Sequence, residues 1–375
     1  MQIQKLISSR RWSYSRNGFA VLMLAFMPHV QLVDCTLGGS PGLLPWILSG
    51  SLEAEYAVQQ DDEDKEDEGN MADQENQESQ DTEKKRVITE PSKEVWLPSL
   101  KQVRLRHGDA VENTTAMTQL EAILLHPHLE SLFLLGVDWT GDEARRMQWN
   151  DRISNLTFLE LKESIVDASG LQHILTRCKN ILNLTIQLGD ARREGWDREE
   201  DSWQVDLDQF SRVLRKHGRG LTQLDLHTVE YQASNGSEGR LGSLRELSSL
   251  KHLGVTKVDL LGTPYERASQ VGPEDLSLQS ALPQSLETLH LHFDDYYYAG
   301  QSLDEAGHQE LYELITGGQF PNLYEVKVEF YLTDPSRLFG REIVGWEIHT
   351  VEEHLWERAA SSGCLRSILV FSRIG

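Results

Sequence analysis

The feature that most constrains this chain is a nine-residue phrase that recurs ten times. It reads MPHVQLVDC at 27–35, LPSLKQVRL at 97–105, HPHLESLFL at 126–134, ISNLTFLEL at 153–161 and CKNILNLTI at 178–186. It continues as GRGLTQLDL at 218–226, LSSLKHLGV at 247–255, PQSLETLHL at 283–291, FPNLYEVKV at 320–328 and SGCLRSILV at 362–370. In every copy the fourth, seventh and ninth positions are apolar. Against a background of 39% hydrophobic residues, that agreement has odds of roughly 10⁻¹². The seventh and ninth positions share one face of an extended strand, and the fourth packs the turn that enters it. One such strand cannot hide its apolar face alone, but strands stacked in parallel on their neighbours can.

The segments between phrases carry helical spacing. Leu207, Phe210, Val213 and Leu214 precede Gly218, and Leu311, Leu314 and Ile315 precede Gly317. Thr350 and Glu353, followed by Leu355 and Trp356, have the spacing of a capping box that opens a further helix. Helix, turn and strand therefore form the repeating unit. The expected fold is an irregular α/β solenoid, with parallel strands on its concave side and helices on its convex side.

Two stretches interrupt the pattern. Residues 53–94 hold 16 acidic and 5 basic side chains, a large share of the formal net charge of −23. Such a stretch repels itself and has little to bury, so it reads as a disordered insertion. Ahead of the first phrase, GFAVLMLAFM at 18–27 follows an acid-free, basic tail at 1–17. AILLH precedes HPHLESLFL in the same way, so the apolar run takes the helix slot of a first repeat at 18–52. A mitochondrial presequence is the next reading, and a secretory signal the third, because the run ends in Ala25, Phe26, Met27 and Pro28 rather than a small-residue cleavage site. Residues 95–375 form the remaining repeats.

The phrases resemble leucine-rich repeats. The long, helix-containing units with FPNL and HPHLESLFL resemble the repeat regions of fungal F-box-type proteins, here with no F-box pattern ahead of the repeats. Val137, Ser164, Gly189, Val229 and Val258 stand where regular repeats carry Asn or Cys. The resemblance implies a non-enzymatic protein-binding solenoid that serves as the recognition arm of an F-box-like ubiquitin ligase adaptor, with a Skp1-type adaptor as a second partner. The alternative is a stand-alone scaffold, or a binding protein imported into mitochondria. Three widely spaced cysteines suit a reducing compartment, so the chain is expected in the cytoplasm or nucleus. The acidic balance argues against nucleic acid, no apolar run is long enough to span a membrane, and no cofactor motif occurs.

Three short motifs bear on chemistry. GGSPG at 38–42 fits GxSxG with Ser40 as a nucleophile, but Pro45 follows closely and too little chain precedes it to build an oxyanion hole, so a turn is the preferred reading. His349 and His354 flank Glu352 and Glu353 without the helix spacing of a zinc motif. His290 and His292 share one strand face two residues apart, a metal-ligating arrangement only if the neighbouring strand supplies a third ligand; Lys327 and Glu329 lie there, so an exposed surface is expected. On that surface the residues between the leucines should meet a partner: Arg104, Arg106, Phe133, Leu135, Phe158, Glu160, Lys162, Thr185, Gln187, Asp225, His227, His290, His292, Lys327 and Glu329. Tyr296, Tyr297 and Tyr298, in DDYYYAG, cannot all be buried on one face and join the candidates. Trp139 and Trp149 read as local core.

Overall fold

In the computed structural model, the described residues are 24, 27, 29–37, 44–49, 96–108, 114–149, 152–189, 205–228, 239–262, 276–292, 305–330, 343–354 and 365–374. Their strands are β1 (Leu32–Leu37), β2 (Gln102–His107), β3 (Thr115–Ala116), β4 (Ser131–Leu135), β5 (Val137–Asp138), β6 (Phe158–Ser164) and β7 (Asn183–Leu188). They continue as β8 (Gln223–His227), β9 (His252–Thr256), β10 (Thr288–His292), β11 (Glu325–Phe330), β12 (Trp346–His354) and β13 (Leu365–Arg373). Eleven of them form one sheet in the order β1-β2-β4-β6-β7-β8-β9-β10-β11-β13-β12. The strands of the first nine phrases pair with one another in parallel.

The phrase explains this regularity. Its fourth residue closes a turn by donating its backbone N–H to the carbonyl three residues back, as Leu100 does to Leu97, Leu221 to Gly218 and Leu323 to Phe320, at 2.9 to 3.2 Å. The fifth residue then donates to the fifth residue of the preceding copy. Lys101 donates to Gln31, Glu130 to Lys101, Thr157 to Glu130, Leu182 to Thr157, Thr222 to Leu182, Lys251 to Thr222, Glu287 to Lys251 and Tyr324 to Glu287, all at 2.7 to 2.9 Å. These links satisfy backbone groups that the turn would otherwise bury unpaired. They also lock the register, so the seventh- and ninth-position side chains stack in continuous rows.

On the far side of those rows lie α1 (Leu44–Leu48), α2 (Met117–Leu120) with the 3₁₀ turn Glu121–Leu125, α3 (Gly141–Arg146), α4 (Ala168–Arg177), α5 (Leu207–His217), α6 (Lys257–Leu261), α7 (Leu278–Ala281) and α8 (Glu305–Thr316). Strand and helix side chains merge into one apolar cluster that runs from Val33 to Phe371. The expected helices at Leu207 and Leu311 are α5 and α8. Helix α5 shows how local sequence sets the ends: the Asp206 side chain caps Gln209 N–H, while Arg215, Lys216 and His217 crowd the C-terminal turn before Gly218. AILLH takes the helix slot as a 3₁₀ turn rather than an α-helix.

Two expectations are corrected. The tenth phrase does not extend the parallel series: β13 runs antiparallel to both β11 and β12, and its seventh and ninth residues, Ile368 and Val370, stand opposite Glu329 and Lys327 on the outer face, leaving Leu369 and Phe371 to face the core. The capping box at Thr350 opens no helix; Thr350 and Glu353 lie inside strand β12. Trp346 and Ile348 alternate with polar residues and pack against the core, and that period of two outweighs the local helix-start signal. The apolar run at 18–27 lies outside the described residues except for Leu24 and Met27, and the acidic stretch at 53–94 lies wholly outside them.

Buried and half-buried polar groups replace the missing asparagines at the strand ends. Ser164 Oγ accepts from Val137 N–H at 3.3 Å, Asp167 Oδ1 accepts from both Gly141 and Gly170 N–H, and Thr228 donates to Asp259, whose N–H is capped by Thr256. The small β3–β5 pair supplements them.

Candidate functional site

The sheet's other face carries the residues that alternate with the leucines. The eighth positions of successive phrases form a single row across the strands: Arg104, Phe133, Glu160, Thr185, Asp225, Gly254, His290 and Lys327. Two residues later lie Arg106, Leu135 and Lys162 in register, then Gln187 beside His227, and Thr256 beside His292. A bulge after Leu161 separates these groups. Glu163 takes a left-handed conformation there, with φ at 47°, the strained backbone by which bulges re-aim side chains.

The N-terminal part of this face is half-open. Phe133, Leu135 and Phe158 are each partly exposed, while their neighbours Leu132, Leu134, Leu159 and Leu161 are buried. Phe133 stands opposite Glu160, two residues from Phe158 on the next strand, so the rings are diagonal neighbours on one face. Lys162 places its ammonium 5.8 Å from the Phe133 ring centre and 3.4 Å from Glu160, a cation over an aromatic face. Arg104 is exposed, and Arg106 reaches Asp34 on β1 at 3.0 Å. The result is a small aromatic and aliphatic patch edged by cations.

The C-terminal part differs. His292 and Glu329, expected on an exposed surface, are buried at 7% and 2% exposure. His292 Nε2 lies 2.6 Å from Asp225 Oδ1, and its Nδ1 lies 3.3 Å from Glu329 Oε1. His290 Nε2 is 2.8 Å from the same Glu329 oxygen. The His227 and His292 rings meet edge-on with centres 4.7 Å apart, and those of His290 and His292 are 4.4 Å apart. Burial alone would push the Asp225 carboxyl up, but its hydrogen bond to His292 and the nearby His292, His290 and His227 together hold it below the usual carboxylate range. Glu329, expected with Lys327 on an exposed surface, instead brings one carboxylate oxygen within reach of both His290 and His292.

Gly254 is the contributor that sequence reasoning missed. A Cβ there would sit 2.3 Å from Asp225 Oδ1 and 2.9 Å from His292 Nε2, so only glycine lets those groups meet across β9. The signal was available, since Gly254 is the only glycine at the eighth position of any phrase. Lys327 pairs with Glu325 at 3.1 Å, beside the cluster rather than in it. Thr185 and Gln187 lie between the two regions, and Gln187 reaches Glu163 at 3.4 Å.

Other candidates separate. Tyr296, Tyr297, Tyr298 and Ser40 lie outside the described residues. His349 and His354 are on strand β12 rather than on a helix. Trp139 is core, with its indole N–H donated to His173 Nδ1 at 3.1 Å; Trp149 is half-buried against Trp46, ring centres 5.9 Å apart. Burial, with Arg177 nearby, lowers His173 to about 4. No helix among the described residues is long and apolar enough to cross a membrane.

A search of the curated proteins finds no match to this sequence. A model of the leucine-rich repeat domain matches residues 78–301, more than half of the chain. Domains of this kind generally mediate protein–protein binding and are typically non-catalytic. The matched region contains the strands from β2 to β10, whose turn and register repeat from copy to copy, and the chain accordingly belongs to the leucine-rich repeat family.

Proposed function

We propose that the chain is a non-enzymatic binding protein that docks a protein partner on the outer face of its sheet, the concave wall of a solenoid. The observation that carries this reading is the half-exposed patch of Phe133, Leu135 and Phe158, edged by Arg104 and Lys162. Aromatic side chains on a rigid sheet lose little entropy on binding and supply the anchors around which interfaces are organised. Flanking cations favour a partner with apolar side chains next to carboxylates, and Glu160, Asp225, His227, His290 and Lys327 extend the surface toward the C-terminal strands.

The test is quantitative affinity capture with the full chain as bait. Proteins held by the native chain should fall at least about tenfold with Phe133→Ala plus Phe158→Ala, the loss expected of interface anchors, and should be retained by Lys216→Glu on the helical side. Equal retention by both variants would remove the proposed face.

A narrower reading makes the chain the recognition arm of an F-box-like ubiquitin ligase adaptor in the cytoplasm or nucleus. It is supported by the resemblance of the long repeat units to those of fungal F-box-type proteins. Binding to a purified Skp1-type adaptor tests it, and no binding leaves the stand-alone scaffold, in the cytoplasm or imported into mitochondria.

A further inference from the structure

We propose that His227, His292 and Glu329 form a binding site for one divalent transition-metal ion of the zinc class. The three side chains come from β8, β10 and β11, and each offers a ligand atom within 4.8 Å of the other two. His292 and Glu329 are withdrawn from solvent. A buried carboxylate is held in its charged form by a counter-charge, which either a proton on a neighbouring ring or a cation supplies.

The distances favour the cation. An imidazole that donates Nε2–H to a carboxylate, as His292 does to Asp225 at 2.6 Å, presents a bare lone pair at Nδ1. This is the outer-sphere device by which proteins orient a metal-ligating histidine. Nδ1 points at Glu329 Oε1 at 3.3 Å. Two ligands on a tetrahedral ion with bonds of about 2.0 Å stand ~3.3 Å apart, so this pair already spans one edge of such a site. His290 Nε2, 2.8 Å from the Glu329 oxygen, fixes the carboxylate from outside. Gly254 leaves open the space in which Asp225 buttresses His292.

The donor set selects the ion class. Two imidazoles and one carboxylate suit zinc and its first-row neighbours, whereas magnesium and calcium take oxygen shells. Three protein ligands leave a fourth position for water or for a side chain of a docked partner. The ion would tie β8 to β10 and β11 across β9.

The test uses the untagged full-length chain, titrated with cobalt(II) chloride by visible absorption and with zinc chloride by calorimetry. The expected result is one ion per chain, cobalt bands of tetrahedral intensity that zinc abolishes, and a Tm that rises with zinc. His227→Ala and Glu329→Gln should each weaken binding at least about tenfold, and Asp225→Asn, which removes the support of His292, by about tenfold. His227 is only half-buried, so if Glu329→Gln fails to fold, His227→Ala, checked by circular dichroism, decides. Absent cobalt bands, or an affinity unchanged in folded His227→Ala, would overturn the site.

Discussion

The two ends of the sheet's outer face are built on the same nine-residue phrase and make opposite use of it. Across β2, β4 and β6 the residues between the leucines are Arg104, Phe133, Leu135 and Phe158, which stay partly exposed. Across β8, β10 and β11 they are Asp225, His290, His292 and Glu329, which converge into a hydrogen-bonded cluster with two members buried. The leucine positions carry the fold in both regions. The alternate positions are thereby released from packing duty, and each region spends that freedom differently, one on apolar surface and one on polar interior.

The contrast has a counterpart in the helical layer, where the N-terminal half keeps its own buried charges. Arg177 Nη1 bonds Glu121 Oε1 at 2.8 Å with both side chains 1% exposed, and Glu121 also accepts from the backbone N–H of Gln148 and Trp149. Glu121→Ala strands a buried cation and two donors, and is expected to cost about 3–5 kcal/mol, read as a lower urea midpoint at unchanged slope. The shared core is probed next by Leu159→Ala in β6 and Leu289→Ala in β10, each expected to cost ~2–5 kcal/mol. A loss confined to one of the two would break the claim that both halves rest on the same apolar rows.

The outer face should then separate the halves. Gly254→Val drives a side chain into the Asp225–His292 pair and should cost about 1–3 kcal/mol in thermal unfolding. Thr185→Val, in the same row two strands away, should change stability by less than ~0.5 kcal/mol. Phe133→Ala inverts the pattern: a stability loss of under about 1 kcal/mol, with partner affinity falling at least tenfold, since a half-exposed ring contributes more to an interface than to a core. The last effect comes from acid. Burial holds the folded His173 at about 4, below the ordinary imidazole value of 6.5, so the unfolded chain binds the proton first. Stability is intact above pH 6.5 and declines as the pH falls toward 4, by about 1 kcal/mol after allowance for solvent around this partly exposed ring. His173→Gln should flatten that decline in urea titrations at pH 4.5 and 7.

Much of this architecture was legible beforehand. Nine phrases became neighbouring parallel strands because the spacing of Leu156, Leu159 and Leu161, or of Leu221, Leu224 and Leu226, states both the turn and the buried face. The tenth was misjudged in direction. Its face was misjudged as well: Ile368 and Val370 stand opposite Glu329 and Lys327 on the outer side, while Leu369 and Phe371 stand opposite Val328 and Val326 on the core side. SGCLRSILV is apolar at both sets of positions, so its spacing fixes neither face nor strand direction. The helix expected at Thr350 failed for a related reason, because the capping-box spacing is a three-residue signal and the alternating Trp346 and Ile348 answer to the core. At the candidate site, Asp225, His227, His290, His292 and Glu329 were all placed on the correct face. Their convergence was hidden, because Asp225 and His292 stand 67 residues apart and meet only across the bare backbone of Gly254.

By itself the sequence determined the repeating turn and strand, the apolar side of each of the nine parallel strands and the identity of the alternate residues, because these depend on spacing within a few residues and on the local pairing of backbone groups. Only the tertiary structure decided which alternate residues face water and which are enclosed, where the parallel series stops, and which titratable groups share one space. Those outcomes depend on the order and register of strands far apart in the chain, and hence on distances that no local pattern contains.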